Sequence, residues 1–271
     1  MSALYGLIGK TLSYSFSPTI NNKILKALQI DGDYHLYETN PDGLASLILE
    51  LKHLKVKGTN VTMPYKVEIM KYLDSVSSKA TSIGSVNTIV FDKDNIHGDN
   101  TDYDGFKMTM DHADIPIKNK TAVVLGTGGA AKSTIHCLMD FGAKDIMVVS
   151  RNPSNVKKIT ENLKVITYEA LTHTPKDIII NCTPCGMDPN IDQSPLTVKQ
   201  IDGAEAVMDL IYNPLETLLL KRAKSLGIKA VDGMFMLVGQ AVKSQEIWNK
   251  TTIPMDMVEK IYQEIIEEIK K

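Results

Sequence analysis

The sequence predicts a two-domain α/β protein whose second domain is a doubly wound, Rossmann-type dinucleotide-binding unit. Three observations carry this expectation. An apolar strand near the middle of the chain runs into a glycine-rich turn and a helix, in Thr121-Ala-Val-Val-Leu125-Gly-Thr-Gly-Gly-Ala-Ala-Lys-Ser133. Strand-like and helix-like segments alternate in two blocks, one ahead of that turn and one containing it. The tail after Gly233 is helical only.

In the first block, Leu4 to Gly9, Tyr34 to Glu38 and Lys57 to Val61 read as strands, and Pro18 to Leu28, Leu44 to Leu54 and Pro64 to Leu73 as helices. Thr88 to Phe91 and Asn95 to Gly98 form a hairpin around Asp92-Lys93-Asp94. The second block runs from about Asn119 to Gly233. Its candidate strands are Ala122 to Leu125, Ile146 to Val149, Val165 to Thr167, Ile178 to Asn181, Ala206 to Asp209 and Lys229 to Val231, the sixfold set of a doubly wound sheet. In the tail, Val258, Ile261, Tyr262, Ile265 and Ile269 recur at helical spacing. That apolar face needs a partner, so the chain is expected to cross back to the first block, leaving a cleft between two domains.

Gly126, Gly128 and Ala131 fit the G-x-G-x-x-G/A spacing: the first glycine makes the tight turn, the second admits a pyrophosphate, and the third position packs helix on strand. The helix N-terminus then offers N–H groups and partial positive charge to phosphate. After the next strand an NAD-binding domain would carry an acid for the ribose 2′-hydroxyl. This chain has Ser150-Arg151-Asn152 there, with Lys157 and Lys158 beyond. An arginine forks to a 2′-phosphate that a carboxylate would repel, so the charge selects NADP.

Composition bounds the partners. A formal charge of −2 over 271 residues gives no basic surplus for nucleic acid. No apolar stretch approaches membrane-spanning length, and the N-terminus lacks the charged segment and apolar run of a secretory signal, so a cytoplasmic location is expected. The three cysteines, Cys137, Cys182 and Cys185, argue against a disulfide framework. Cys182-Thr-Pro-Cys185 has redox or zinc spacing. It lacks a second pair to complete a tetrahedral site, so it reads as two small side chains in a turn, with no metal.

The first block concentrates polar residues at element boundaries. Ser13-Tyr-Ser15-Phe-Ser17-Pro18 places two hydroxyls at a helix start, with Ser17 as the expected N-cap and proline at N1. Asn60-Val-Thr62-Met-Pro64-Tyr-Lys66 puts a lysine into the first turn of the expected next helix. There it opposes the helix dipole, which points to a purpose other than folding. Gly84-Ser-Val-Asn87-Thr88 precedes a strand and Gly98-Asp-Asn100-Thr-Asp102-Tyr-Asp-Gly105 follows one; either segment alone is ordinary turn chemistry.

Taken in order, S-x-S-P at 15–18, N-V-T-x-P-x-K at 60–66, G-x-V-N-T at 84–88, N-T-D at 100–102, G-x-G-G-A-A at 126–131, N-C-T-P-x-G-M at 181–187, Y-N-P at 212–214 and M-L-V-x-Q-A at 236–241 resemble the shikimate dehydrogenase family over nearly the whole chain. The resemblance implies NADPH-dependent, reversible reduction of 3-dehydroshikimate to shikimate by a monomer or homodimer. It implies a substrate-binding, catalytic domain over 1–103, completed by helices at 238–271, and an NADP-binding Rossmann domain over 104–237. Ser15 and Ser17 would hold the substrate carboxylate. Thr62, Asn87, Asp102 and Gln240 would bind its hydroxyls, with Tyr212 nearby, and Lys66 with Asp102 would be the catalytic pair. Gly126, Thr127, Gly128, Gly129 and Ala130 would hold the pyrophosphate, Ser150, Arg151 and Asn152 the adenosine end, and Leu210 and Gly233 would lie near the nicotinamide.

Two departures from the family pattern stand out. Ser77-Ser78-Lys79 replaces an acid common in relatives ahead of G-x-V-N-T, and Asn152 replaces a frequent threonine. Quinate as a second substrate, with NAD use, is the alternative within the family; Arg151 argues against NAD. A non-catalytic NADP-sensing module is the alternative outside it, and such a module has no reason to keep Lys66, Asp102, Ser15 and Ser17 together. Hinges for domain closure are expected near Asp102 to Asp111 and Gly233 to Gln240.

Overall fold

The computed structural model describes residues 2–13, 15–151 and 163–270. They form two compact units, one of Met1–Gly105 with Val238–Lys271 and one of Phe106–Leu237. The first unit opens with β1 (Ala3–Gly9), α1 (Ser17–Ala27), β2 (Gly32–Glu38), α2 (Leu44–His53) and β3 (Gly58–Val61). It continues with β4 (Ser75–Val76), α3 (Ser78–Ile83), β5 (Thr88–Phe91), β6 (Ile96–Asp99) and the start of α4 (Asp102–His112). Its sheet has the order β2-β1-β3-β5-β6-β4. Strands β1, β2 and β3 run parallel, whereas β5 is antiparallel to both β3 and β6.

This mixed pairing positions the polar residues. The antiparallel registers set Asn60 opposite Thr88 and Thr88 opposite Asp99, so the end of β3, the start of β5 and the end of β6 lie side by side. Segments distant in sequence are thereby delivered to one edge.

The second unit holds β7 (Thr121–Leu125), α5 (Gly129–Asp140), β8 (Asp145–Val149), β9 (Lys164–Ile166), β10 (Ile178–Asn181), α6 (Val198–Ile201), β11 (Ala206–Asp209), α7 (Leu218–Ser225) and β12 (Lys229–Val231). The strands are all parallel, in the order β12-β11-β10-β7-β8-β9, the doubly wound arrangement expected from the sequence. Strands β10 and β11 are buried at every position, as a sheet covered on both faces requires. The order reverses between β7 and β10, which puts the glycine turn after β7 at the switch point where open α/β sheets bind ligands.

The chain then enters α8 (Met234–Asn249) and α9 (Met255–Ile269). Val258, Ile261 and Ile265 are the buried stripe of α9, which packs on α1, with Lys23 bridging Glu264 and Glu268 across the contact. Helix α8 is fixed to the first sheet by Trp248, whose indole N–H donates to the Ile89 carbonyl at 2.9 Å and whose ring fills the space beside Gly58. Both spans expected to act as hinges are helical, lying in α4 and at the start of α8. Among the described residues no helix is long and apolar enough to cross a membrane.

Two local expectations fail. Residues 64–73 do not form a helix: turns lead into a 3₁₀ segment at Glu68–Tyr72. The Val86 N–H donates to the Lys66 carbonyl at 2.8 Å, and the Met70 N–H donates instead to Val67, three residues back. A tertiary hydrogen bond thus takes the acceptor that an α-helical turn would use. Lys66 therefore opposes no helix dipole, and the dipole gives no reason for its special role. Ser17 is likewise not an N-cap. It is the first helical residue of α1, buried, and its N–H donates to the Ser15 hydroxyl at 3.2 Å. Strand β4 and helix α3 arise in a stretch whose sequence pattern predicts no element; the Ser77 hydroxyl caps α3 by accepting from Ala80 N–H at 3.1 Å.

One carboxylate ties together the strand ends of the second unit. Asp209 closes β11 with no solvent exposure. It accepts from the Asn181 amide at 2.9 Å, the Ile211 N–H at 3.1 Å and the Thr217 hydroxyl at 2.7 Å. Burial pushes its carboxyl up to about 6 against these three donors, and the nearby Asp232 adds to the rise.

Two stability measurements follow. Because the folded state holds the Asp209 proton more tightly than the unfolded chain, its contribution is full below about pH 4 and fades as pH rises through about 6. Asp209→Asn, which does not titrate, should gain about 3 kcal/mol relative to the parent between pH 4 and 7.5 in urea unfolding; parallel profiles would exclude this. The Thr59 hydroxyl on β3 is buried without a hydrogen-bond partner. Thr59→Val keeps the shape and should raise stability by about 1 kcal/mol in the same assay; a loss of that size would contradict it.

Candidate active site

In the first unit the structure gathers Lys66, Asn87, Asp102 and Gln240. The Lys66 ammonium donates to Asp102 Oδ2 at 2.6 Å, with both side chains largely buried. Lys66 sits on the turn after β3, its backbone held by Val86; Asp102 opens α4, where the helix N-terminus favours a carboxylate. The other oxygen, Oδ1, accepts from the Asn87 amide at 2.8 Å. Asn87 also donates to the Thr101 hydroxyl at 3.0 Å, and the Gln240 carbonyl oxygen lies 3.5 Å from the same amide nitrogen. Gln240 comes from α8, so the helix that rejoins this unit closes the cluster.

The orientation of Asn87 is determined by its acceptor end. Its Oδ1 takes the Thr101 N–H at 2.7 Å and the Thr88 hydroxyl at 3.1 Å, so the amide nitrogen must face Asp102. Asn100 braces the backbone on either side of the pair. Its Oδ1 accepts from Tyr103 N–H at 3.2 Å in the first turn of α4, and its amide donates to the Ser85 carbonyl at 2.8 Å.

Thr62 stands at the end of β3, with its N–H donating to the Ile8 carbonyl at 2.9 Å and its methyl group beside Gly9. Ser15 and Ser17 lie between β1 and α1, joined by the Ser17 N–H to Ser15 hydroxyl bond; Ser15 is half-buried. Ser17 and Tyr34 are both buried.

The remaining sequence-assigned residues belong to the second unit. Gly126 leaves β7 at φ +103, a conformation that favours glycine, and a Cβ there would press on Thr183 and the Cys182 carbonyl. A Cβ at Gly128 would meet nothing within 4 Å, and the first turn of α5 carries no acidic side chain. Thr127 is exposed and Gly129 and Ala130 are half-buried, so the turn presents backbone N–H groups in open space. That cradle fits a pyrophosphate. Ser150 and Arg151 follow β8, with Arg151 exposed; Asn152 lies outside the described residues.

Leu210 and Gly233 are in backbone contact. Gly233 N–H donates to the Ile211 carbonyl at 3.0 Å, and any Cβ at 233 would overlap the Leu210 carbonyl. Tyr212 is half-buried in the loop after β11, and burial pushes its phenol up.

Sequence pattern assigns no role to Tyr34, Asn60, Thr88, Thr101 or Ser244, all buried polar residues of the first unit. Asn60, Thr88 and Thr101 lie inside the quoted motifs beside assigned residues. Ser244 sits one helical turn after Gln240, a spacing that could have flagged it.

The chain matches the family models described as shikimate dehydrogenase substrate binding domain over residues 7–89 and shikimate / quinate 5-dehydrogenase over residues 108–191. It is 43% identical to a protein named shikimate dehydrogenase (NADP(+)) from Clostridium beijerinckii, the match covering 95% of this chain and 96% of that one. A crystal structure of a chorismate mutase/shikimate 5-dehydrogenase fusion protein from Clostridium acetobutylicum superposes with TM-score 0.97 at 44% identity, covering all of both chains. The shikimate 5-dehydrogenase of Thermus thermophilus, solved with NADP(H) and shikimate, superposes with TM-score 0.87 at 28% identity over 97% of this chain and 99% of that one. A buried Lys66–Asp102 pair in one unit, a glycine cradle in the other and relatives of full-length coverage agree: the chain belongs to the shikimate dehydrogenase family.

Proposed function

We propose that this chain catalyses the reversible, NADPH-dependent reduction of 3-dehydroshikimate to shikimate, with Lys66 and Asp102 as the catalytic pair. The observation that carries the proposal is the buried ion pair between them, held from the far side by Asn87.

Reduction of the ketone needs a hydride at carbon and a proton at oxygen; NADPH, when bound, supplies the hydride. Negative charge develops on the carbonyl oxygen as the C–O double bond is lost. The Lys66 ammonium donates a hydrogen bond to that oxygen and then its proton, leaving a hydroxyl; in the oxidative direction Lys66 takes the proton back. Asp102 orients the ammonium and offsets its charge while both are partly shielded from water. Ser15 and Ser17 hold the ring carboxylate through their hydroxyls. Thr62, Asn87, Gln240 and Tyr212 bind the ring hydroxyls.

For the cofactor, residues 126–130 would hold the pyrophosphate through backbone N–H groups at the start of α5. Ser150, Arg151 and Asn152 would hold the adenosine end, with the Arg151 guanidinium on the 2′-phosphate. Leu210 and Gly233 would lie beside the nicotinamide. The cytoplasm is the compartment this chemistry is proposed to work in.

The first test follows nicotinamide absorbance with shikimate or quinate against NADP or NAD. Turnover is expected with shikimate and NADP; turnover only with quinate, or only with NAD, would overturn the assignment. Lys66→Ala should lower kcat by about 10²- to 10⁴-fold with KM for shikimate little changed, and a variant keeping most of its kcat would remove Lys66 from the chemistry. Arg151→Ala should weaken NADP binding by about tenfold or more while leaving NAD affinity unchanged. Equal losses for both cofactors, read by fluorescence titration, would dissociate Arg151 from the 2′-phosphate.

A further inference from the structure

The buried polar residues without an assigned role form one connected chain. Tyr34 lies on β2, which packs on α1, the helix that Ser17 opens, and the Tyr34 hydroxyl donates to Asn60 Oδ1 at 2.8 Å. The Asn60 amide donates to the Ser244 hydroxyl at 2.8 Å and the Thr88 hydroxyl at 3.2 Å. Thr88 donates to Asn87 Oδ1 at 3.1 Å, and the Asn87 amide donates to Asp102 Oδ1 at 2.8 Å. From Tyr34 to Asp102 every bond has the same polarity, each donor's acceptor being itself the next donor, and the chain ends on the carboxylate that holds Lys66. All of its members are buried.

Burial pushes the Tyr34 phenol well up, so Tyr34 remains a donor throughout the working range. Asn60 cannot reverse without placing its side-chain oxygen against the Asn87 backbone carbonyl, to which its amide donates at 3.2 Å. In a medium that shields little, such a chain is rigid because each misplaced link strands a buried donor or acceptor.

We propose that Tyr34, Asn60 and Thr88, braced by Ser244, are positioning residues that fix the distance between β2 with the packed start of α1, where Ser17 holds the substrate carboxylate, and the Lys66–Asp102 pair. The idea rests on the site reading above. Ser17 anchors one end of the ring and Lys66 addresses the ketone, so a chain of fixed length between them sets the reacting oxygen against the ammonium. The two ends then fail differently. Loss of a link next to Asn87 frees Asp102 and slows chemistry, whereas loss of the Tyr34 link loosens β2 and the helix start that carries Ser17 and weakens binding.

The experiment measures kcat, KM, calorimetric shikimate affinity and melting temperature for Thr88→Val, Thr88→Ser, Tyr34→Phe and the control Thr59→Val, which lies on the same sheet outside the chain. Thr88→Val should lower kcat by about ten- to a hundredfold with KM within about threefold, and Thr88→Ser, which keeps the hydroxyl, should restore most of it. Tyr34→Phe should weaken shikimate binding by about tenfold with kcat less affected. The control should keep both constants. Should Thr88→Val fail to fold, Ser244→Ala reads the same end of the chain. Variants that lose melting temperature but keep kcat and affinity, or a Thr88→Ser as slow as Thr88→Val, would overturn the proposal. If Lys66→Ala is inactive while these variants match the parent, only the positioning chain fails. If Lys66→Ala keeps its rate, the site reading itself fails.

Discussion

The ion pair between Lys66 and Asp102 is the constraint around which the first unit is organised. A buried ammonium and carboxylate are expensive to desolvate and persist only where remaining lone pairs and protons are satisfied; removing one partner of such a pair typically costs about 3–5 kcal/mol. Here Asn87 satisfies Asp102, Thr88 and Thr101 orient Asn87, and Asn60 with Ser244 steadies those hydroxyls. The mixed sheet makes this possible. Antiparallel pairing of β3, β5 and β6 brings the start of β5 beside the ends of β3 and β6, where a parallel β5 would have put its start at the opposite edge.

The second unit solves a different problem with a different arrangement. Its parallel strands end on one side of the sheet, and backbone rather than side-chain groups are presented there. Gly126 turns the chain at a positive φ where a Cβ would press on Thr183, Gly128 borders open space at the start of α5, and Gly233 allows the loops after β11 and β12 to touch. Asp209 holds the ends of β10 and β11 and the start of α7 through three hydrogen bonds, at the cost of an elevated carboxyl pKa. A buried acid thus joins these strand ends to one another and to α7.

Much of this was legible in the sequence. The six strands of the second sheet were readable because strands covered on both faces appear as short apolar runs bounded by turns, as Ile178–Asn181 and Ala206–Asp209 do. Gly126 and Gly128 were readable because their spacing reports a backbone requirement. Motif order points to Lys66 and Asp102, and the structure places them in contact; Lys66 lies in a turn, so no helix dipole acts on it. Local pattern missed what tertiary hydrogen bonds decided. The claim of Val86 on the Lys66 carbonyl cancels a helix, and Ser17 is buried as the first residue of α1 rather than standing ahead of it as a cap. Tyr34 carries no signal and Ser244 only its spacing from Gln240, since nothing in sequence shows that β2 and a late helix turn a hydroxyl toward the same asparagine.

The proposal that the Lys66–Asp102 ion pair acts as one catalytic unit is tested most directly by a double-mutant cycle on kcat. With Lys66→Met, Asp102→Asn and the double variant assayed under shikimate and NADP saturation, the account expects strong coupling, the double variant being about as slow as the slower single one. Losses that multiply independently would show that the two residues serve separate purposes and would contradict the account.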